Sequence, residues 1–284
     1  MSVEPRPAFY ALAGGGWRDY VTLLHPPYTA WHLSYVVIGA SLAPDLELNR
    51  LVWGLVAFAL ALGVGAHALD ELESRPLRTA IPNKVLIALA VVSTGAATAI
   101  GVAAAFAWTL WLLPFVAFGA FFVAAYCLEL FGGRLHSDLW FALGWGAFPV
   151  LTAYVGAAET LRPEALLAAV FAACLSLAQR HLSTQVRDVR RRTSAVSGTI
   201  AYQDGREEAI AAETLTRAPE AALRALTYAV VALAAALLAL QVAAELVGQG
   251  LDAVYWVPLA GVSDPELVLP EVAQTVGARE DLIE

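Results

Sequence analysis

The sequence predicts an all-α transmembrane helical bundle, and its composition, the length of its apolar stretches and the distribution of its arginines all indicate this class. Of the 284 residues, 59% are hydrophobic and only 15% are charged, and the mean hydropathy is +0.65. Soluble domains carry about 25% charged residues, so this chain has too little polar surface for a soluble globular enzyme. No broad basic face supports nucleic-acid binding.

Seven apolar stretches are long enough to cross a bilayer, which requires about 20 residues. The charge-free stretch 85–128 accommodates two helices, with a turn between Trp108 and Trp111, because Trp favours the membrane interface. The stretch 253–262 is too short to span and is predicted to be interfacial or re-entrant. The predicted spans are 28–46, 51–69, two within 85–128, 139–158, 164–183 and 221–246.

Basic residues concentrate in the two polar segments that follow the second and the sixth predicted spans. Four spans separate these segments, so both lie on the same side, and the positive-inside rule predicts that this side is cytoplasmic. The chain is predicted to begin with a cytoplasmic N-terminal arm, residues 1–20. A helical bundle follows over residues 21–247, with cytoplasmic loops at 70–84 and 184–220. The chain ends in an acidic C-terminal tail, residues 248–284, which contains the interfacial stretch.

The end of the second predicted span carries a polar cluster. His67, Asp70, Glu71 and Ser74 are spaced i, i+3, i+4 and i+7, so a helix places them on one face, and Pro76 ends that helix. Acidic side chains at a helix C-terminus oppose the helix macrodipole, which makes a merely solvated helix end a poor explanation. Carboxylates gathered at such an end suit hard divalent cations.

A second cluster lies at the end of the sixth predicted span. His181, Thr184, Gln185 and Asp188 share one helical face. The arginines beside them have the chemistry to neutralise phosphate oxygens. The alternative is a positive-inside anchor that holds the helix end at the lipid headgroups.

The entry to the first predicted span contains two histidines. His25 precedes Pro26 and Pro27, which begin a helix well, and His32 lies about one turn into the membrane. A histidine inside a span is either a satisfied packing residue or part of a site, and the sequence leaves both interpretations open.

These elements, taken in order, resemble the UbiA superfamily of intramembrane prenyltransferases, and its menaquinone branch in particular. The resemblance covers about residues 20–200 and depends on the order of the elements, their spacing and their side of the membrane. The chain has Ala68 and Arg192 at positions where the family pattern has Asp. The matching elements are His25-Pro26, the stretch 67–71 with Arg75-Pro76, Gly144-Trp145-Gly146 with Pro149, and the stretch 184–188 with Arg192-Thr193.

The resemblance implies a bundle of seven to nine helices around a central cavity that opens to the cytoplasm and laterally to lipid. It implies transfer of a prenyl group from a prenyl diphosphate to a lipophilic acceptor, either a quinone precursor or a lipid, or an intramolecular terpene cyclisation. The protein would then lie in a prokaryotic cytoplasmic membrane with a cytoplasmic active face. Its partners would be the two substrates and membrane lipids, and its oligomeric state is left open.

The resemblance also assigns roles to individual side chains. Asp70, Glu71 and Asp188 would bind Mg²⁺ on the diphosphate, and His67 and His181 would join them as catalytic residues. The predicted substrate-binding residues are Arg75, Thr184, Gln185, Arg187, Arg191, His25 and His32.

Two alternatives use the same positions differently. The mixture of imidazole and carboxylate at His67, Glu71, His181 and Asp188 suits Zn²⁺, Fe²⁺ or Mn²⁺, which would make the protein a transition-metal-dependent membrane enzyme on the same scaffold. A non-catalytic lipid-binding relative would have kept the fold and lost the chemistry. The missing acidic residues of the family pattern motivate this second alternative.

Overall fold

The computed structural model describes residues 6–248, 255, 257, 259 and 264–276, and within them its regular structure is helical except for one short β-hairpin. This architecture confirms the predicted all-α bundle. The elements are α1 (Trp17–Leu23), α2 (Pro26–Ser41), α3 (Leu48–Ser74), α4 (Asn83–Ala107), α5 (Leu112–Cys127), α6 (Asp138–Ala158), α7 (Pro163–Arg192), β1 (Thr199–Ala201), β2 (Glu207–Ala209), α8 (Ala212–Gly248) and α9 (Val268–Val276), which a 3₁₀ turn (Pro265–Leu267) precedes.

Among the helices of the described residues, five are long and apolar enough to cross a membrane: α3, α4, α6, α7 and Ala212–Val247 of α8. Helices α2 and α5 have 16 residues each, fewer than the about 20 that a straight span requires. Each of the seven predicted spans coincides with a helix, and α4 and α5 are separated between Trp108 and Trp111 as predicted. The predicted interfacial stretch 253–262 lies mostly outside the described residues.

Three helices contain π-helical segments, which are Ala59–Ala66 in α3, Ala142–Ala147 in α6 and Asp188–Arg192 at the end of α7. A π turn bonds residue i to residue i+5, so it changes the angular position of every residue that follows. A Cβ on Gly146 of α6 would lie only 2.7 Å from the Ala172 carbonyl oxygen of α7. Glycine at this position therefore allows α6 and α7 to pack closely.

The polar segments predicted as loops contain more regular structure than predicted. Helix α3 continues to Ser74, so the first loop covers 75–82 rather than 70–84. Helix α7 continues to Arg192, and β1 and β2 then pair as an antiparallel hairpin before α8 begins, all within the predicted loop 184–220. The helices extend because the charged side chains at their ends find hydrogen-bond partners on neighbouring segments.

The chain divides into two compact units, Met1–Leu238 and Ala239–Glu284, and every predicted site residue lies in the first. In the first unit the rings of Trp31 and Tyr35 on α2 pack into a buried core with Ala172 of α7. Trp31 Nε1 donates to the Tyr35 hydroxyl at 2.6 Å, so both rings are buried with their polar atoms paired. This core fixes α2 against α7, and these two helices carry many of the polar side chains of the site.

Two small apolar cavities lie among the helices of the first unit. The first, of about 100 Å³, lies between α3, α4, α5 and α6, and the second, of about 70 Å³, adjoins it on the side of α2. They share Phe58 and Val116 in their linings. Phe122 and Trp145 line the first cavity and also pack against Tyr126, which separates the apolar space from the polar end of α5.

Candidate functional site

Several of the predicted site residues meet at one end of the first unit, here called the basic end, which carries the C-terminal ends of α3 and α7. The His67 ring on α3 stacks on the His25 ring at the start of α2, with 4.1 Å between the ring centroids. Asp70, one turn further along α3, lies in electrostatic range of Arg187 and Arg191 on α7. The fold thus gathers imidazole, carboxylate and guanidinium groups from three helices.

His25 has a strained backbone conformation at the N-terminus of α2. Its φ and ψ are 46° and 57°, in the left-handed region that non-glycine residues rarely adopt. The Tyr10 hydroxyl lies 2.7 Å from His25 Nδ1 and forms a hydrogen bond with it. Burial lowers the pKa of His25 well below its ordinary value, and His67, Arg191 and Arg187 act in the same direction. His25 is therefore a neutral imidazole at pH 7.

Arg187 and Arg191, one turn apart on α7, are half-buried and face this cluster. Arg187 donates to Thr184 Oγ1 at 2.8 Å, and Arg191 donates to the Pro7 carbonyl at 3.1 Å. Arg190 is instead engaged in an ion pair with α8. A guanidinium has five N–H donors, and Arg187 and Arg191 each use one of them within the described residues, so most of their donors remain for a ligand.

The N-terminal arm, residues 6–16, covers the basic end. Ala11 is buried, and the Tyr10 ring packs edge-to-face on the Tyr28 ring with 5.6 Å between the centroids. Burial raises the pKa of the Tyr10 hydroxyl well above its ordinary value, so this hydroxyl stays protonated. The arm therefore shields the His25 ring from solvent and places a neutral hydroxyl beside it.

Glu71, Arg75 and Thr79 form a hydrogen-bonded group, here called the loop latch, that holds the loop between α3 and α4. Glu71 is fully buried, and one of its carboxylate oxygens accepts from the Leu77 amide at 2.9 Å. The other accepts from the Thr79 amide at 2.8 Å and from the Thr79 hydroxyl at 2.9 Å. Arg75 donates to the carbonyls of Thr79 and Ile81 at 3.2 and 2.7 Å.

The loop latch engages the side chains of Glu71 and Arg75 with the loop between α3 and α4. The chain turns sharply at Arg75, with φ 50°, just before Pro76, so the amides of the loop return to the end of α3 and require an acceptor. Glu71 supplies that acceptor. The sequence indicated a metal-binding Glu71 and a diphosphate-binding Arg75, whereas the structure uses both side chains to shape the loop.

The polar residues predicted to share one face of α7 do not all face the cluster around His25 and His67. His181 and Gln185 are exposed, and Gln185 donates to a backbone carbonyl of α8 at 3.4 Å. Asp188 forms a largely exposed ion pair with Arg192 at 3.1 Å. Thr184 supports the cluster because it accepts a hydrogen bond from one of its arginines. The structure therefore separates His181, Gln185 and Asp188 from His67.

The buried face of α7 carries polar residues that the sequence interpretation missed. Ser176, Gln179 and Ser183 are buried and follow the i, i+3, i+7 spacing of one helical face. The Gln179 amide contacts the Tyr28 hydroxyl, and Ser176 Oγ lies 3.1 Å from the Tyr35 hydroxyl. Polar residues at helical spacing within an apolar stretch are the signal that would have identified this face.

A second set of missed residues lies beside Asp70. The buried thiol of Cys127, at the end of α5, contacts the Asp70 carboxylate. The neighbouring Tyr126 hydroxyl accepts from Arg180 at 2.5 Å, and Arg180 also pairs with Asp138 at 2.5 Å. Nothing in the local sequence marks Tyr126 and Cys127, because they end an apolar helix and their partners are distant in sequence.

The carboxylates predicted to bind a metal ion lie in different surroundings. Within the part of the chain that the structure describes, no group of three or more His, Cys, Asp or Glu side chains is placed to hold a metal ion. Glu71 belongs to the loop latch, Asp188 pairs with Arg192, and His181 is exposed. Asp70, Glu71 and Asp188 are therefore not gathered at one point, and neither are His67, Glu71, His181 and Asp188.

No family model, no curated protein and no solved structure matches this chain. The chemistry of the basic end is therefore the main evidence about function. It combines two half-buried guanidiniums, an imidazole stack and a buried hydroxyl at the end of an apolar bundle. Such an arrangement suits an anionic group that is attached to an apolar molecule.

Proposed function

We propose that this chain is a membrane-embedded prenyltransferase of the UbiA type, which moves a prenyl group from a prenyl diphosphate to a lipophilic acceptor at the cytoplasmic face of a prokaryotic membrane. The observation that carries the proposal is the position of Arg187 and Arg191 beside the stacked rings of His25 and His67. The anionic head of a prenyl diphosphate needs cationic hydrogen-bond donors, and its tail needs apolar surroundings.

Arg187 and Arg191 bind the diphosphate in this proposal. A guanidinium binds phosphate oxygens through parallel N–H groups, and it stays charged at every physiological pH. The two arginines are half-buried, which strengthens their attraction for an anion relative to exposed arginines. Arg75 and Arg190 are engaged in the loop latch and in the ion pair with α8, so this role does not extend to them.

The proposed reaction begins with heterolysis of the bond between the allylic carbon and the diphosphate oxygen, and the diphosphate leaves with the electron pair. Arg187 and Arg191 stabilise the negative charge on the leaving group. The acceptor then supplies an electron pair to the allylic carbon and loses a proton, which a neutral imidazole of the basic end accepts. In an intramolecular cyclisation, a double bond of the same prenyl chain supplies the electron pair.

The proposal is tested with purified full-length protein in detergent micelles, with inorganic pyrophosphate and farnesyl diphosphate as probes. We expect both probes to raise the thermal midpoint. We expect Arg187→Gln and Arg191→Gln to weaken binding by about ten- to hundredfold, because each removes charge-assisted hydrogen bonds. Arg192→Gln is the matched control, since Arg192 is exposed and pairs with Asp188. Absence of binding, or an equal loss in the control, would contradict the proposal.

A non-catalytic protein that binds prenyl diphosphates is the second candidate. One observation favours it: Glu71 and Asp188, two of the three acids that the resemblance assigns to catalysis, are engaged in other interactions. Incubation with farnesyl diphosphate, membrane lipids and 1,4-dihydroxy-2-naphthoate separates the two candidates. Release of pyrophosphate that Arg187→Gln abolishes supports the transferase, whereas binding without release supports the non-catalytic protein.

A further inference from the structure

His32, His67 and Gln179 present three hydrogen-bond acceptors for which the described residues supply no donor, and these residues are here called the lone-pair patch. Of the three acceptor atoms, Gln179 Oε1 is the one that is fully buried. Gln179 is 5% exposed, and its Oε1 is buried without a partner. His32 Nδ1 lies 2.6 Å from the Tyr28 carbonyl, and His67 Nδ1 lies 3.2 Å from the Gly63 carbonyl. A carbonyl only accepts, so each neutral ring carries its proton at Nδ1 and presents a lone pair at Nε2.

The three residues lie close together between α2, α3 and α7. On α2, Tyr28 contacts Gln179 and Tyr35 hydrogen-bonds Ser176 of α7, and His32 lies between these two contacts on the same helical face. The His67 ring on α3 is close enough to His32 to interact with it electrostatically. The lone-pair patch therefore lies deeper in the bundle than the arginines at the end of α7.

The surroundings of the lone-pair patch select the class of donor that satisfies it. Gln179 Oε1 is a buried acceptor without a donor, which destabilises the folded protein, so this atom gains from any group that donates a hydrogen bond to it. Arg187 and Arg191 interact electrostatically with Tyr28, at the outer edge of the patch, so a cationic donor is disfavoured there. The Phe141 ring lies 6.5 Å from the His32 ring and adds an aromatic wall. A neutral hydroxyl on an apolar molecule matches these surroundings.

We propose that the lone-pair patch binds the hydroxyl group of a lipid-soluble alcohol or phenol. The bound hydroxyl donates its proton to one of the three lone pairs, and the rest of the molecule lies among apolar side chains. The inference rests on the proposed function in one respect, because the bound compound would be the acceptor of the prenyl group. Binding of the hydroxyl itself does not require that function.

The first experiment compares hydroxyl compounds with their methyl ethers on the full-length protein in detergent micelles. The probes are 4-octylphenol against 4-octylanisole, and 1-decanol against decyl methyl ether. We expect at least one hydroxyl compound to bind about tenfold more tightly than its ether, because the ether cannot donate. The tighter of the two hydroxyl probes identifies an aryl or an alkyl ligand. Equal affinities within both pairs would overturn the proposal, and this result includes the case in which water alone satisfies the patch.

The second experiment tests whether the residues of the lone-pair patch cause the preference for the hydroxyl compound over its ether. Gln179→Leu and His67→Leu should each reduce the preference for the hydroxyl compound to about twofold or less, whereas His181→Leu, at an exposed position, should retain it. A preference that survives both patch substitutions overturns the proposal. If a variant does not fold, ¹⁵N spectra of histidine-labelled wild-type protein decide, since the hydroxyl probe should shift the His32 and His67 signals and its ether should not.

Pyrophosphate binding by the wild-type protein distinguishes the failure of this inference from the failure of the proposed function. A hydroxyl preference without pyrophosphate binding supports the lone-pair patch and removes the prenyltransferase proposal. Pyrophosphate binding without a hydroxyl preference overturns the proposed role of the lone-pair patch and leaves the prenyltransferase proposal in place.

Discussion

Asp70 and Glu71 are consecutive residues on α3, yet they belong to polar regions of opposite character. Glu71 lies in the loop latch, where both of its carboxylate oxygens accept hydrogen bonds from the loop that follows. Asp70 lies in the cluster at the basic end, beside Cys127 and in electrostatic range of Arg187. The hydrogen bonds of the first region hold the loop, whereas the second region contains groups that have no partner within the described residues.

This difference indicates how structural and functional polar groups can be distinguished. In the loop latch, both carboxylate oxygens of Glu71 and several donors of Arg75 are engaged with the loop, so the region rigidifies the loop. In the cluster, Arg187 and Arg191 keep unused N–H donors, and His67 keeps a lone pair within the described residues. Unpaired polar groups inside an apolar bundle are costly, so their presence points to a function.

The largest expected effect is on the latch. We expect Glu71→Ala to lower the free energy of unfolding by about 3–5 kcal/mol, because the two buried amides and the Thr79 hydroxyl lose their charged acceptor. Denaturant titration in detergent micelles measures this change. Glu73→Ala is the matched control at an exposed acid of the same helix and should cost less than about 0.5 kcal/mol. A loss of less than about 1 kcal/mol in the free energy of unfolding for Glu71→Ala would show that the loop latch does not stabilise the fold.

The next effect concerns the pH dependence that His25 gives to stability. His25 has a pKa well below the ordinary 6.5, so as the pH falls through 6.5 the unfolded chain takes up a proton that the folded chain does not. Stability therefore falls with pH until the folded-state pKa is reached. Between pH 7.5 and 5.5, the wild type should lose about 1.4 kcal/mol more than His25→Asn.

Thermal unfolding at the two pH values checks this expectation. Asn is a suitable replacement because it tolerates the left-handed conformation of residue 25. Identical pH dependence in wild type and His25→Asn would show that His25 is not held neutral by the fold.

Asp70→Asn tests whether the cluster at the basic end binds an anion without a bridging metal ion. The substitution removes a negative charge from the vicinity of Arg187 and Arg191. We expect pyrophosphate to bind about three- to tenfold more tightly to the variant in the presence of EDTA, because repulsion is lost. Calorimetric titration measures this affinity. Weaker binding that appears only with Mg²⁺ would assign Asp70 to a metal-bridged diphosphate instead.

The smallest expected effect is at Asp188, which the family pattern assigns to metal binding. Its ion pair with Arg192 is largely exposed, and such pairs contribute about 0–1 kcal/mol. Asp188→Asn should therefore change stability by less than about 0.5 kcal/mol and pyrophosphate affinity by less than about twofold. A tenfold change in affinity would mean that Asp188 acts together with Arg187 and Arg191.

The fold was largely predictable because its determinants are local. Runs of apolar residues mark each helix, and Trp108 and Trp111 mark the turn between α4 and α5. The ends of the helices were less predictable, since the extensions to Ser74 and Arg192 depend on partners elsewhere in the chain. The 16-residue lengths of α2 and α5 also do not follow from hydropathy alone.

The site was predictable only in outline. Helical spacing and the positive-inside rule predicted that the ends of α3 and α7 lie on the same side, and the structure places Asp70 of α3 in electrostatic range of Arg187 and Arg191. Spacing alone could not show that Glu71 turns toward the loop, because the loop amides that it binds are backbone groups. Gln179 was equally hidden, since the residue that it contacts, Tyr28, lies far away in the sequence.

The π-helical segment Ala59–Ala66 determines the phase of the rest of α3. With one residue fewer in that segment, the turn His67–Ser74 would rotate by about 100° around the helix axis. His67 would then leave the His25 ring, and Glu71 would leave the loop amides that it binds. The chemistry of this end of the protein is therefore encoded in the helical phase as well as in the identity of its residues.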